Sequence, residues 1–293
     1  MQVVTLRTTE RVWVYVRDLA MLGKAGITAF VVVTTALGYW MAGGEAPSLA
    51  FWGTLLGTAL VTAGAGALNQ YVERDADARM ERTRYRPLPA GRVPPAGGLA
   101  YGVGLSVLGA ALLGMVGLRA LVLALIAWST YVFIYTPLKR VTWLCNVPGA
   151  VAGALPPLIG WSAAAGSVDL RGWLLFALLW LWQWPHLMTI AWMYRDDLHR
   201  AGFVLLPSRP ERVPTLLAAS AAGLGLFGTL PFFLKMAGPL YLGTAAVLGL
   251  WLMVAGLRFA RRPAWMTARR FFGTALLYLL FLCVAMFASR MTG

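Results

Sequence analysis

Nine apolar runs, each about as long as a bilayer crossing, divide this chain, and most of its charged residues lie between them. A hydrocarbon core about 30 Å thick needs roughly 20 apolar residues per helix. The runs fall at about 22–42, 49–71, 96–117, 119–136, 145–164, 172–193, 213–234, 239–257 and 270–288. Within hydrocarbon every backbone N–H and C=O must find a partner, so only helices and closed barrels span it. A barrel needs alternating apolar and polar residues, and the unbroken runs exclude one. The expected fold is therefore all-α and polytopic: nine transmembrane helices in a single domain covering 1–293. Only 12% of the residues are charged, where a soluble domain carries about 25%.

The distribution of charge orients the bundle. With nine crossings, 21 of the 25 Lys and Arg residues fall on one side, leaving Arg119, Arg171, Lys235 and Arg290 on the other. Basic loops stay cytoplasmic, which puts the N-terminus inside and the C-terminus outside. The same bias accounts for a net charge of +14 without a nucleic-acid partner. Two cytoplasmic loops, about 72–95 and 194–212, hold Glu73, Asp75, Asp77, Glu81, Asp196, Asp197 and Glu211. Long loops on a rigid scaffold tend to carry function.

Residues 1–21 contain no signal-peptide core ahead of a small-residue cleavage site. Val12, Tyr15, Val16 and Leu19 share one helical face, with Arg11, Arg17 and Asp18 on the other, as in an amphipathic helix lying on the membrane surface. Gly98 with Gly102, and Gly149 with Gly153, are small-xxx-small pairs that let helices approach closely. Pro148, Pro156 and Pro157 should bend or break the fifth span, either to shape a pocket or as a packing kink. Cys145 and Cys283 read as reduced structural thiols.

Chemistry concentrates in residues 69–92, NQYVERDADARMERTRYRPLPAGR. If the second span continues as a helix, Asn69, Glu73 and Asp77 recur at i, i+4, i+8 and share one face. Asp75 points the opposite way. Arg79, Arg82, Arg84, Arg86 and Arg92 follow. Oxygen ligands suit a hard cation such as Mg2+, and guanidinium groups suit phosphate. Such a rim suits a metal-bridged phosphate or diphosphate, at the open end of a central cavity facing the cytoplasm. A solvated helix end with incidental salt bridges would look similar, but Asn69 lies a turn inside the apolar boundary, where a polar side chain needs a partner.

Two further clusters stand at helix ends. In the sixth span His186 lies about three turns before Asp197, near the same stripe, and an ionisable group at that depth is a functional candidate. The alternative is a neutral His186 satisfied by Gln183 or by a neighbouring helix. Trp180, Trp182, Trp184 and Trp192 crowd this span, as pocket lining or as packing. At the end of the fourth span Tyr135, Lys139 and Arg140 precede Asn146, and the two cations read equally as phosphate clamps or ordinary positive-inside residues.

The first motif resembles the signature of the intramembrane prenyltransferase superfamily. Within it, the DxxMxRTxxRPL pattern from Asp77 to Leu88, YTPLKR at 135–140, GALPPLIGW at 153–161, PH at 185–186 and DL…LP across 197–207 resemble the heme-modifying branch. Glu73 stands where many members have Asp, Ala201 where quinone-directed members carry a second aspartate, and Ala25-Gly26 where Pro-Arg is usual after Lys24. The resemblance implies an enzyme that transfers farnesyl from farnesyl diphosphate to a vinyl group of heme B, with water addition, giving heme O and diphosphate. It implies Mg2+ as cofactor, held by Asn69, Glu73, Asp77 and Asp197 with Asp196 beside it. It implies diphosphate contacts from Lys24, Arg82, Arg86, Lys139 and Arg140, a π-face for the allyl cation from Tyr135 or Tyr131, and heme contact by His186. Farnesyl diphosphate, heme B and the lipid bilayer are its partners, with heme A synthase or terminal oxidase assembly downstream, in a bacterial or archaeal plasma membrane. The alternatives are prenyl transfer to an aromatic quinone precursor or a chlorin, and a transporter without chemistry.

Overall fold

The structure is a computed structural model that describes residues 8–291, with side chains for 13–289. Arg7 and the side chains of Arg11, Val12 and Arg290 lie outside the described residues. The described residues form helices joined by short turns: α1 (Thr8–Leu22), α2 (Ala25–Met41), α3 (Leu49–Asp77), α4 (Pro95–Val116) and α5 (Leu118–Ser129). α5 runs through a π-helical turn (Thr130–Tyr135) into α6 (Thr136–Leu138). There follow α7 (Asn146–Ala154), α8 (Pro156–Ala165), α9 (Leu170–Met193), α10 (Arg195–Arg200), α11 (Val213–Phe227), α12 (Leu230–Phe233), α13 (Pro239–Arg261) and α14 (Trp265–Met291). Among the described residues eight helical stretches are long and apolar enough to cross a membrane, and Trp13–Leu22 with α2 makes a ninth if that pair, bent by 57°, counts as one span.

Local chemistry sets the ends. The Ser48 hydroxyl accepts the Phe51 N–H at 3.1 Å, and Asp169 accepts the Arg171 and Gly172 N–H groups, capping α3 and α9. α4, α8 and α13 begin on a proline, whose missing N–H is unneeded there. The expected break of the fifth span occurs at Leu155 and belongs to Pro156 and Pro157; Pro148 sits in the first turn of α7 and breaks nothing. Pro137 removes the N–H that would bond four residues back, and the chain there widens into the π turn.

Tyr15 and Val16 are exposed, beside Trp13. Asp18, expected on the solvated side, is buried and paired bidentately with Arg92, both contacts at 2.9 Å. The Gln70 amide of α3 donates to the Met21 and Leu22 carbonyls, so the last turn of α1 is tied down too.

α3 and α4 close on one another where Gly102 meets Leu68 and the Gly64 carbonyl, the close approach that its lack of a side chain predicted. The largest apolar core joins α2 and α9 to α11, α13 and α14 around Leu175, Trp182, Tyr241, Phe259, Phe271 and Tyr278. Leu49, Met115, Leu118, Leu226, Leu240 and Val247 instead stand exposed on the outer surface, where lipid would cover them.

Candidate active site

A cavity of about 570 Å3 lies among α2, α3, α5 with its π turn, α7, α8 and α9. One part of its wall is polar, with Lys24, Asn69, Glu73, Asp77, Arg82, Arg86, Tyr131, Tyr135 and Lys139. The remainder is mainly apolar, with Phe30, Val61, Ala65, Trp128, Ile159 and Trp182 among its residues.

The i, i+4, i+8 expectation holds because α3 stays helical for 29 residues to Asp77. The Thr83 hydroxyl donates to the Asp77 carbonyl at 2.9 Å, meeting one of the acceptors left open at that end. Asn69, Glu73 and Asp77 are all buried, and each faces a cation. Lys24 Nζ donates to Asn69 Oδ1 at 2.5 Å and to the Tyr131 hydroxyl at 2.9 Å. Lys139 Nζ donates to Glu73 Oε1 at 2.8 Å and lies 4.4 Å from the Tyr135 ring centroid. Arg86 Nη1 donates to Asp77 Oδ2 at 2.7 Å, while Asp77 Oδ1 is buried without a partner. The Asn69 amide is anchored by the Thr136 hydroxyl at 2.9 Å, a partner the sequence reading missed. Tyr131 and Tyr135 stand 5.3 Å apart by centroid, at an angle of 36°. Room for Tyr135 comes from Gly149, where an added Cβ would fall 2.8 Å from the ring.

Two of the expected residues stand elsewhere. Arg140 is exposed and outside the cavity wall. Asp196 is also exposed, with only a 3.8 Å contact to Arg195. Asp197 is buried but spent on other work. Its carboxylate accepts the Glu81 N–H at 3.0 Å, the Arg82 N–H at 3.4 Å and the Arg200 guanidinium at 2.8 Å. Burial pushes this carboxyl up, yet those three donors outweigh it and hold it below the usual carboxylate range. The shared stripe of His186 and Asp197 does not form, because the helix breaks at Tyr194 between α9 and α10. His186 lines the cavity and Asp197 does not.

The two acidic loops instead roof the polar end together. Met80, Leu198, Ala201 and Phe203 pack as a small apolar cluster with Ala76 and Ala191. Arg79 donates to the Ala201 carbonyl at 3.1 Å, Arg82 lies over the Tyr194 ring, and the Val204 N–H donates to the Lys139 carbonyl at 2.7 Å. Burial, and then neighbouring Arg86, pull the Arg82 guanidinium below its ordinary value. Arg92, bonded to Asp18, is raised.

His186 is clamped flat between Trp182, 4.6 Å away by centroid, and Phe272, 4.9 Å away. Its Nδ1 is buried without a partner, so the alternative of a bond to Gln183 or a neighbouring helix is not met at that atom. Of the five tryptophans of α9, Trp182 alone lines the cavity; its indole N–H donates to the Ala275 carbonyl at 2.7 Å.

For a divalent cation, the donor chemistry fits: an amide oxygen and two carboxylates on one face, with a free buried oxygen on Asp77. Among the described residues no three His, Cys, Asp or Glu side chains form a ready-made cage. Mg2+ is commonly held by one or two carboxylates together with substrate phosphates, which is what this set allows.

Comparison with known proteins identifies the family and the fold. The model of the UbiA prenyltransferase family matches residues 31–289. The chain is 42% identical over 288 residues to a protoheme IX farnesyltransferase of Anaeromyxobacter dehalogenans, covering 97% of each. It is 39% identical over 277 residues to one of Solibacter usitatus, covering 90% of this chain and 95% of that one. The structure of a UbiA homologue from Archaeoglobus fulgidus bound to GPP and Mg2+ superposes with a TM-score of 0.66 at 15% identity, covering 92% of this chain and 99% of that one. The chain belongs to the UbiA prenyltransferase family, in the branch of the protoheme IX farnesyltransferases.

Proposed function

We propose that this prenyltransferase moves the farnesyl group of farnesyl diphosphate onto a vinyl group of heme B, with water addition, yielding heme O and diphosphate. The observation that carries the reading is one cavity in which a buried amide–carboxylate row and four cations share a wall with aromatic and aliphatic side chains. Such a space takes a charged headgroup at one end and an isoprenoid with a porphyrin in the remainder. The names of the curated relatives supply the acceptor.

Arg82, Arg86, Lys139 and Lys24 bind the diphosphate through charge-assisted hydrogen bonds. Asn69, Glu73 and Asp77 would hold Mg2+, which when bound neutralises the charge that develops on the leaving group. As the C1–O bond breaks, its electron pair leaves with the diphosphate, and the Tyr131 and Tyr135 faces stabilise the allyl cation. The vinyl π pair of the heme then forms the new C–C bond. Water adds to the cation left on the adjoining carbon and loses a proton. The apolar wall keeps water from the allyl cation before the vinyl group reaches it. His186, stacked between Trp182 and Phe272, contacts the heme, and an imidazole suits iron. The basic loops and the roof over the polar end lie on the cytoplasmic side, with α1 on the membrane surface.

Incubating the purified protein with farnesyl diphosphate, Mg2+ and heme B, and weighing the pigment, tests this. The expected product has the mass of heme O. An unchanged heme mass, beside a prenylated quinone precursor in a parallel tube, overturns it.

A further inference from the structure

The three members of the acidic row are not waiting open for a metal; positive side chains already occupy most of their oxygens. Lys24 holds Asn69 Oδ1, Lys139 holds Glu73 Oε1 and Arg86 holds Asp77 Oδ2, each within 2.8 Å. The two lysines also occupy the tyrosine pair. Lys139 lies 4.4 Å from the Tyr135 centroid and 5.8 Å from that of Phe203, and Lys24 lies 5.5 Å from that of Tyr131. Lys139 and Glu73 are both buried, so water screens neither this attraction nor the repulsion an incoming divalent cation would meet. Asp77 Oδ1 is the one unpartnered buried carboxylate oxygen among the described residues.

We propose that Lys24 and Lys139 are exchangeable placeholders, so that the site accepts its metal only when a diphosphate arrives to draw the ammonium groups away. On the free protein a divalent cation would face two ammonium groups and a guanidinium, with only Asp77 Oδ1 and Glu73 Oε2 left unshared among the carboxylate oxygens of the row. A diphosphate gives those cations a better anion, and Glu73 and Asn69 become free to ligate. The same movement clears the faces of Tyr135 and Tyr131, so the surface that stabilises the allyl cation becomes available only in the loaded site. Loading is thus ordered by charge, and the rings stay covered until substrate is bound. This rests on the diphosphate reading above.

Equilibrium dialysis in detergent, counting Mn2+ and inorganic pyrophosphate retained by the protein, reads this without turnover, since metal bound to free pyrophosphate passes the membrane. The wild-type protein should retain Mn2+ weakly alone and about tenfold or more tightly with pyrophosphate present. Lys139→Met should retain Mn2+ alone about tenfold better than wild type and pyrophosphate less well. Lys24→Met, changed on a different helix, should shift both the same way. Tight Mn2+ retention by the wild type without pyrophosphate overturns the ordered loading while leaving the prenyltransferase reading intact. So does a Lys139→Met protein that melts like the wild type yet holds Mn2+ alone no better. Retention of neither probe under any condition overturns both.

Discussion

Replacing Asp197 with Asn separates two roles that a carboxylate beside this cavity can have, metal ligand or strut. The side chain spends its oxygens on the Glu81 and Arg82 N–H groups, at 3.0 and 3.4 Å, and on Arg200 at 2.8 Å. An amide keeps one acceptor oxygen and turns an NH2 toward the other donor. One backbone N–H then loses its partner, which costs about 1–3 kcal/mol. Arg200 is half exposed, so solvent screening leaves its share small. A loss near 2 kcal/mol corresponds to roughly thirtyfold more frequent opening of the loop that carries Arg82 and Arg86. Hydrogen exchange of amides 79–84 should quicken by about that factor, provided they exchange by local opening. The KM for farnesyl diphosphate should rise while Mn2+ retention with pyrophosphate stays within a fewfold of wild type. Because the folded carboxyl titrates below its unfolded value, its stabilisation is complete above the unfolded pKa, about 4, and is lost as pH falls through the folded one. Wild-type loop protection should therefore fade on acidification below about pH 4, and the Asn variant should lack that step. Unaltered exchange at 79–84 together with lost Mn2+ would refute the strut and restore the ligand.

Other substitutions test the remaining parts of the site. His186→Ala should abolish the heme-dependent absorbance change and slow turnover without altering pyrophosphate retention; unchanged spectra and rate would remove His186 from the heme site. Gly149→Ala places a methyl against the Tyr135 ring, and the ring must move. Its turnover should fall about tenfold or more with little change in melting, since one displaced aromatic group weakens cation stabilisation more than packing. Asp18→Asn removes the charge from the buried pair with Arg92, and hydrogen exchange around Tyr85 and Arg92 should quicken while the other helices stay protected.

Much of the bundle was legible because apolar runs and loop charge are one-dimensional signals. Their boundaries survive folding, apart from ends such as Asp77 that continue past the apolar stretch. The acidic row was legible for a related reason: i, i+4, i+8 spacing is local, and α3 preserves it. What stayed hidden depends on residues far apart in sequence. The Asn69–Thr136, Glu73–Lys139 and Asp18–Arg92 pairs are 67, 66 and 74 residues apart, and no periodicity reports them. Asp197 stands off the expected stripe because counting along a helix assumes that it continues, and the turn at Tyr194 is unannounced by any Gly or Pro. The π turn left a sequence trace in Pro137, which removes an N–H one turn after Phe133, but proline alone does not choose between a kink and a wider turn.

Lys24 carries a backbone φ of 49°, a left-handed conformation that costs a non-glycine residue about 1 kcal/mol or more. That conformation is what turns the chain from α1 into α2, and the side chain of the same residue reaches Asn69. The posture of α1 and the charge beside the acidic row therefore hang on a single hinge residue. Glycine there would relax the elbow and erase the ammonium, and a β-branched residue would do neither job. Any change in the angle between α1 and α2 would therefore displace the Lys24 ammonium from Asn69 and Tyr131 together.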